Sequence, residues 1–544
     1  MRTSFLHSSL WLLSLTPVRA QWPVDAQAAT VRELEHLFLD AATYNLKRMI
    51  TPCSQYIDSS TGLANPNLGR QTAAEWIRTA FHDFVTGNIY TLQGGLDASI
   101  GFETTRAENV GTAFNDALTN FGYYFNAAVS MADLISLGTV LAAGHCGGVH
   151  VPMRGGRKDA AAAGPTGVPQ PQQDLNTQLG VFGNAGFNRD DTIALTACGH
   201  TLGGVHKKDF PDVVNNAPGT QTGTDGRIAF DETDSGFDNG LVNDYLGSKN
   251  AKGGPLVTTT NVTVQSDLRL YVSDQNATMQ RLGQSNDYFL SQCSSTFQRM
   301  IETVPSGVRL STPIDPTTTT NLKPYNVDLN VDWSGNMVCT GNLRYVQVPG
   351  SAAGPGSYTV TLIGRDGKTT TTTATATKSA ADSGTGIYGA TNSYKFQLSF
   401  PASTGLSGIS VGGQTFKFQD SMFPVPGKSS VSPTPPPFTS TPALNAQQSY
   451  TANLTVAYLT TAPPATLTAT FSIPVPQTGT VSPKTDASTQ TQLKLIGKTG
   501  PFAIYSGLTT KTLSGKQVYS LSVDVAASGQ AGGLGFYKIF NKDS

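Results

Sequence analysis

The spacing of apolar residues changes once along this chain, near residue 310, and that change limits the fold more than any single motif does. Before it, stretches such as "VRELEHLFLDAATYNLKRMI", "TAAEWIRTAFHDF", "GTAFNDALTNFGYYFNAAV", "MADLISLGTVLAA" and "NDYFLSQCSSTFQRMIE" repeat apolar residues at i, i+3 and i+4, which lays a stripe along one side of a helix. Loops rich in Gly, Pro, Asn and Asp, "AAAGPTGVPQPQQ" among them, separate these stretches. After it, Thr, Ser, Val and Gly rise, and "SYTVTLIG", "SYKFQLSF" and "VYSLSVDVA" alternate polar with apolar residues. That is the period of an antiparallel strand with one buried face. The tract "PVPGKSSVSPTPPPFTSTP" within the second half reads as an extended linker. A chain of 544 residues is also too long for one core. The expected architecture is therefore multidomain: a mainly α domain over 21–309, a β-sandwich-like module over 310–423, a linker over 424–442 and a second all-β, sandwich-like module over 443–544. A single sandwich with one long loop is the alternative.

Charged residues are only 13% of the chain and the formal net charge is -1, so binding to nucleic acid through phosphate neutralisation is not expected. Residues 1–20 combine Arg2, an apolar run and the small-residue ending "VRA", the three parts of a secretory signal. No other apolar run reaches the roughly 18 residues that span a bilayer, so a secreted, extracellular protein with no membrane contact is expected. Sequons at Asn261, Asn276 and Asn453 suit glycosylation on that route. Five cysteines allow at most two bridges. The expectation carried forward, which spacing alone does not fix, pairs Cys53 with Cys146 and Cys293 with Cys339, leaving Cys198 buried.

In "WIRTAFHDF", Arg78 and His82 stand at i and i+4, on one face of a helix. A neutral imidazole beside a fixed guanidinium takes up a proton and stabilises the anion left behind, as cleavage of a peroxide O–O bond over a metal requires. Alone, such a pair is more often a solvated or packed helical face than a catalytic one. Downstream, "GGLDASIGFETTRAENVG" supplies Gly95, Asp97 and Ser99, which with Asp83 are hard oxygen donors of the kind Ca²⁺ collects, then Glu103 and Asn109. The Asn109 amide suits fixing a histidine tautomer. In "DDTIALTACGHTLGGVH" an apolar run leads to His200 and a Gly-rich break, which suits an axial ligand at a helix end. The stretch "FDETDSGFDN" sets Asp231, Thr233 and Asp238 near Thr201 as a second oxygen cluster, and Asp267 in "VQSDLRL" suits accepting the other ring N–H of His200.

In this order the fragments resemble the secreted haem peroxidases of the plant and fungal superfamily, the fungal secreted class most closely. "RTAFHD" is similar to that family's distal motif, "GGLDAS" to its first calcium loop, "RGGRKD" to its conserved turn, "ACGHTLG" to its proximal histidine motif and "QSDL" to its proximal aspartate. The resemblance spans about residues 70 to 290. It implies haem b and two Ca²⁺ as cofactors. Arg78 and His82 become the distal pair, Asn109 the support of His82 with Glu103 behind it, His200 the axial ligand and Asp267 its partner. Asp83, Gly95, Asp97 and Ser99 become ligands of the distal Ca²⁺, with Val85 as a further carbonyl. Thr201, Asp231, Thr233, Gly236 and Asp238 become ligands of the proximal one. Phe230 takes the place of the aromatic ring below the haem.

The chain also departs from the family. It has fewer cysteines than the secreted fungal members, and "FVTGNIYTLQGG" lengthens the first calcium loop. Where manganese-oxidising relatives have three acids, Gln71, Glu75 and His206 stand here, and Leu195 replaces the surface Trp of lignin-oxidising relatives. The resulting expectation is an enzyme that reduces H₂O₂ and oxidises phenolic or other small aromatic donors, with contact to cell-wall polymers through the β modules. The competing expectation is a secreted adhesion or glycan-binding protein on a degenerate peroxidase scaffold.

Overall fold

The computed structural model describes residues 26–39, 53, 70–222, 226–247 and 252–314, and most of 322–540. The signal segment expected over 1–20 lies outside the described residues.

The helical half is built from α1 (Ala26–Leu39), α2 (Thr72–Val85), α3 (Ala113–Phe121), α4 (Met131–Gly147), α5 (Leu175–Asn184) and α6 (Arg189–His200), followed by the short α7 (Pro211–Val214), α8 (Gly240–Gly247), α9 (Pro255–Thr258), α10 (Ser266–Tyr271) and α11 (Ala277–Leu282), and by the long α12 (Asn286–Glu302). A two-stranded ribbon, β1 (Gly204–His206) with β2 (Arg227–Ala229), follows α6. α4 is the central rod: Met131 through Gly144 are all buried, as expected of a helix apolar all round. The Ser130 hydroxyl caps it by accepting the Asp133 N–H, and Gly148 ends it at φ 72, a left-handed turn that a Cβ would disfavour. The "RGGRKD" turn anchors the same helix, because Asp159 accepts the N–H groups of Met131 and Ala132 at 3.0 and 2.8 Å. Arg157 and Asp133 form a fully buried ion pair at 3.0 Å beside it.

The second half is all β, as the alternation foretells. One antiparallel sheet runs in the order β10 (Gln414–Lys417), β9 (Gly408–Val411), β5 (Ser357–Ile363), β6 (Thr369–Ala376), β8 (Gly389–Pro401), β4 (Asn336–Gln347) and β3 (Leu322–Val331), with β7 (Gly384–Gly386) paired to β8. The other runs β11 (Met422–Pro424), β13 (Gln447–Leu459), β16 (Phe502–Ser514), β15 (Lys484–Thr499), β14 (Thr466–Val475), β17 (Ser522–Ala526) and β18 (Gly533–Tyr537), with β12 (Ser430–Ser432) beside β13. The first sheet curls into a half-barrel and the second into a nearly closed barrel, its end strands β11 and β18 meeting. Closure removes the unpaired edges that invite aggregation. The tract read as a linker over 424–442 differs at its start: β11 and β12 both pair with β13, because backbone groups of Pro-rich segments still pair at a sheet edge.

The halves are in contact. Glu35 of α1 accepts from Lys323 at 2.5 Å and Arg344 at 3.2 Å, and Thr391 donates to the Leu39 carbonyl at 3.0 Å. Phe38 meets Tyr388 edge-on at 5.3 Å, and Val346 and Tyr388 join the helical core.

The disulfides correct one expectation. Cys53 is bonded to Cys146, and Cys198 to Cys293, with Cα atoms 5.5 Å apart on the packed helices α6 and α12. Cys339 is a buried free thiol, pushed up to about 12 by burial. It sits on β4, between Leu329 and Leu398 of the flanking strands, so it belongs to a different core from Cys293. A pairing guess from chain order misses this because packing of α6 on α12 brings the two helical cysteines together.

Candidate active site

α2 packs Ala73, Trp76, Ile77, Ala80 and Phe84 into the core, and Arg78 and His82 line a cavity. α6 lines the same cavity with Leu195, Gly199 and His200, and α10 with Ser266, Asp267 and Leu270. Two imidazoles from two helices therefore serve one cavity.

His82 is buried, and its Nδ1 lies 2.7 Å from the Asn109 amide oxygen. An amide oxygen only accepts, so Nδ1 carries the proton and Nε2 keeps its lone pair. Asn109 in turn donates to the backbone carbonyl of Glu103 at 3.0 Å. The Glu103 carboxylate is occupied elsewhere, with the Gly164 N–H at 2.7 Å and Arg106 at 3.1 Å. Glu103 thus supports Asn109 through its main chain. Burial, and then the Arg78 charge, hold His82 well below its ordinary pKa, against the Asn109 hydrogen bond, so the ring is neutral at neutral pH. Arg78 donates to the Val110 carbonyl at 2.9 Å and lies 4.7 Å over the Phe114 ring. Burial lowers it only to about 10, with Asp209 opposing, so it stays a cation.

On the other helix, His200 Nδ1 lies 2.7 Å from Asp267 Oδ2, and the ring stacks on Phe230 at 4.2 Å with 6° between planes. Asp267 is 2% exposed and also accepts from the Ser266 hydroxyl at 3.0 Å. With Nδ1 engaged, Nε2 is the nitrogen of His200 left for a ligand, and the carboxylate fixes the orientation of the ring.

The oxygen clusters form as two separate groups. In the first, Asp83 accepts the N–H groups of Asp97, Ala98 and Ile100 at 2.9, 2.8 and 2.9 Å, and Asp97 accepts that of Ser99 at 3.1 Å. Burial first, then the Asp97 charge, push Asp83 well up. Gly95 opens this loop, and the next residue, Leu96, bonds to the Thr303 carbonyl at 2.7 Å, tying the loop to the end of α12. Val85 is the buried last residue of α2. In the second cluster Thr201 donates to the Asp238 carbonyl at 2.5 Å, and Thr233 donates its hydroxyl to Asp238 and its N–H to Asp231, both at 2.9 Å. Gly236 completes it: a Cβ there would lie 3.3 Å from Asp238 Oδ2. Asp231 Oδ2 is buried with no hydrogen-bond partner, and burial with the Asp238 charge pushes Asp231 up to about 8. A buried, unsatisfied carboxylate oxygen beside a second carboxylate fits a hard cation. Among the described residues no three or more His, Cys, Asp and Glu side chains gather as a metal group, so hydroxyl and carbonyl oxygens would complete each shell.

Other cavity residues escaped the motif reading. Arg70 binds Glu75 and Asp116, and burial raises Glu75 to about 7 despite Arg70. Gln71, Glu75 and His206 all line the cavity, yet Gln71 donates to the Asp234 carbonyl at 2.9 Å and Glu75 is engaged by Arg70. Leu195 is 3% exposed, so no surface aromatic stands there. Asp209 faces Gly111. Of these, Arg70 and Asp209 carried no signal in the motifs, since their place at the cavity is set by tertiary contacts with Asp116 and Gly111.

The comparisons with known proteins bear on this helical half. Residues 60–285 match the family model described as Peroxidase. The chain is 39% identical over 333 residues to a WSC domain-containing protein of Arthroderma benhamiae, covering 59% of this chain and 43% of that protein. It is 34% identical over 141 residues to L-ascorbate peroxidase 5, peroxisomal, of Arabidopsis thaliana, covering 26% of this chain and 50% of that one. It is 31% identical over 144 residues to the lignin-forming anionic peroxidase of Nicotiana sylvestris, covering 25% and 44%. The chain thus spans half or less of the length of these relatives.

Proposed function

We propose that this chain is a secreted peroxidase that reduces H₂O₂ and oxidises phenolic or other small organic donors one electron at a time. The observation that carries the reading is a single cavity lined by His82 and His200, each with Nδ1 fixed at 2.7 Å. The residues that would hold haem b in this cavity are His200, through Nε2, and Phe230, stacked on that imidazole; when bound, the haem would supply the iron and its redox chemistry. His82 Nε2 takes a proton from one peroxide oxygen and delivers it to the other, which departs as water. The Arg78 guanidinium stabilises the negative charge that develops as the O–O bond breaks. Asp267 keeps His200 oriented and electron-rich. Two donors, each giving one electron and one proton, complete the reduction to a second water. Asp83, Asp97 and Ser99 would hold one Ca²⁺, and Thr201, Asp231, Thr233 and Asp238 the other, keeping the loops after α2 and α6 in place.

The motif order supports the fungal secreted class, and two disulfides suit an oxidising compartment. Among the described residues no helix is long and apolar enough to cross a membrane. The test is the absorption spectrum of full-length protein supplied with haem. A Soret band that shifts with H₂O₂ and recovers with a phenolic donor is expected; absence of the band overturns the proposal.

A second reading rests on the 39% match to a protein named for its WSC domain, which is longer than the peroxidase match. In it the β half binds cell-wall polymers, on an active or a degenerate catalytic domain. Retention of the full chain on such polymers, lost on deleting β13 to β18, is its expected result; no retention sinks it.

A further inference from the structure

We propose that the second β module positions the distal histidine, through the loop between β14 and β15 seated on the turn that begins the Gly101-to-Asn109 segment. This inference rests on the peroxidase reading of the site. The loop leaves one paired strand end and returns at the other, since Val475 is the register partner of Lys484. A turn of its own stiffens it, the Thr480 hydroxyl accepting the Ser482 N–H at 3.1 Å. Its tip reaches into the helical domain: the Val481 N–H donates to the Gly101 carbonyl at 3.1 Å. The approach is close enough that a Cβ on Gly101 would lie 2.6 Å from both the Thr480 and the Ser482 hydroxyl oxygens. A Cβ there would have to push both hydroxyls aside.

Gly101 belongs to a single 3₁₀ turn, Ser99–Phe102. Such turns have weak internal hydrogen bonds, so their position depends on what grips them from outside. On one side the Asp83 carboxylate accepts the Ile100 N–H at 2.9 Å; on the other stands the β14–β15 loop. Between these grips the turn fixes Glu103, whose N–H bonds to the Ile100 carbonyl at 3.0 Å. The Glu103 carbonyl then accepts from Asn109 at 3.0 Å, and Asn109 holds His82 at 2.7 Å. The path from the β module to the imidazole is therefore one main-chain contact, one turn and two hydrogen bonds. Catalysis is sensitive to such placement, a shift of about 1 Å costing on the order of 10²-fold. Val481 and Thr480 are thus positioning residues acting through Asn109.

The test uses the full-length protein with haem supplied, in three forms: Gly101→Ala, which forces the loop away; Gly101→Ala with Thr480→Gly and Ser482→Gly, which restores the space; and Val481→Pro, which removes the donor without touching the helical domain. Two readouts are followed, the rate of H₂O₂ reduction and the NMR chemical shifts of the His82 ring at one fixed pH. We expect Gly101→Ala to keep its Soret band while losing about tenfold or more in rate, with displaced His82 ring shifts. The relieved variant should recover both, and Val481→Pro should move them in the same sense as Gly101→Ala. Wild-type rate and ring shifts in Gly101→Ala and Val481→Pro, or a deficit that the relieved variant does not repair, would overturn the proposal. If the wild-type protein lacks peroxide reactivity, the peroxidase reading fails on its own, and the His82 ring shifts across the three variants still decide whether the loop positions the ring.

Discussion

The two halves of the molecule use buried polar groups differently. In the helical half, Asp83, Asp97, Glu103, Asp133, Asp231 and Asp267 are buried, as are His82 and Arg157. In the β half the buried polar side chains among the described residues are hydroxyls plus Arg344, and all seven histidines precede residue 310. Burying charge is costly unless it is paired or ligated, so repeated burial of charge in the helical half requires partners there. The β half relies instead on hydrophobic cores and a nearly closed sheet.

The sharpest way to break this contrast is to remove its central base. His82→Ala should lower the rate of H₂O₂ reduction about 10²- to 10⁴-fold with the Soret band retained, measured by stopped flow; a wild-type rate would place the chemistry elsewhere. Next in size is the buried ion pair: Asp133→Ala, which strands the Arg157 charge, should cost about 3–5 kcal/mol in denaturant unfolding, whereas a hydroxyl deletion such as Ser393→Ala on β8 should cost about 1–3 kcal/mol. Equal losses would erase the distinction between the halves. Replacing Cys198 and Cys293 together by Ala should cost about 2–5 kcal/mol, and Cys339→Ala far less, read from the same unfolding curves. Asp267→Asn should lower the rate roughly 10- to 100-fold while His200 stays in place, compared by steady-state kinetics and the Soret maximum.

The smallest effect is in the pH profile. Because burial and Arg78 depress the folded pKa of His82 below its ordinary value of 6.5, the ring remains an unprotonated base as pH falls through that value. The rate should hold from pH 7 to somewhat below 6.5 and then decline. The sign for stability is the opposite of a salt-bridged histidine: below 6.5 the unfolded chain binds the proton more readily, so His82 costs stability as pH falls. A His82→Phe variant, which cannot titrate, should flatten that part of the unfolding profile, as thermal melts across the range would show.

How much of this was legible in the residues depends on the distance over which each feature is decided. The change of period near 310, the face shared by Arg78 and His82, and the oxygen clusters of "GGLDAS" and "FDETDSGFDN" are local, since helix and turn geometry fix neighbours within a few residues. The pairing of His200 with Asp267 was legible only through the order of the motifs. The disulfide was not, because α6 and α12 meet across 95 residues and chain order says nothing about which helices pack. Glu103 was legible as a supporting residue, but not that its main-chain carbonyl would accept from Asn109 while its carboxylate turns to Gly164 and Arg106.

By itself, then, the sequence determined the two kinds of secondary structure and the placement of Arg78, His82, His200 and the oxygen donors on helices and loops, because these follow from spacing along the chain. Only the tertiary structure decided which cysteines meet, that part of the Pro-rich tract joins a sheet, and that Val481 touches Gly101, because those contacts are set by the packing of whole elements whose partners lie tens to hundreds of residues away.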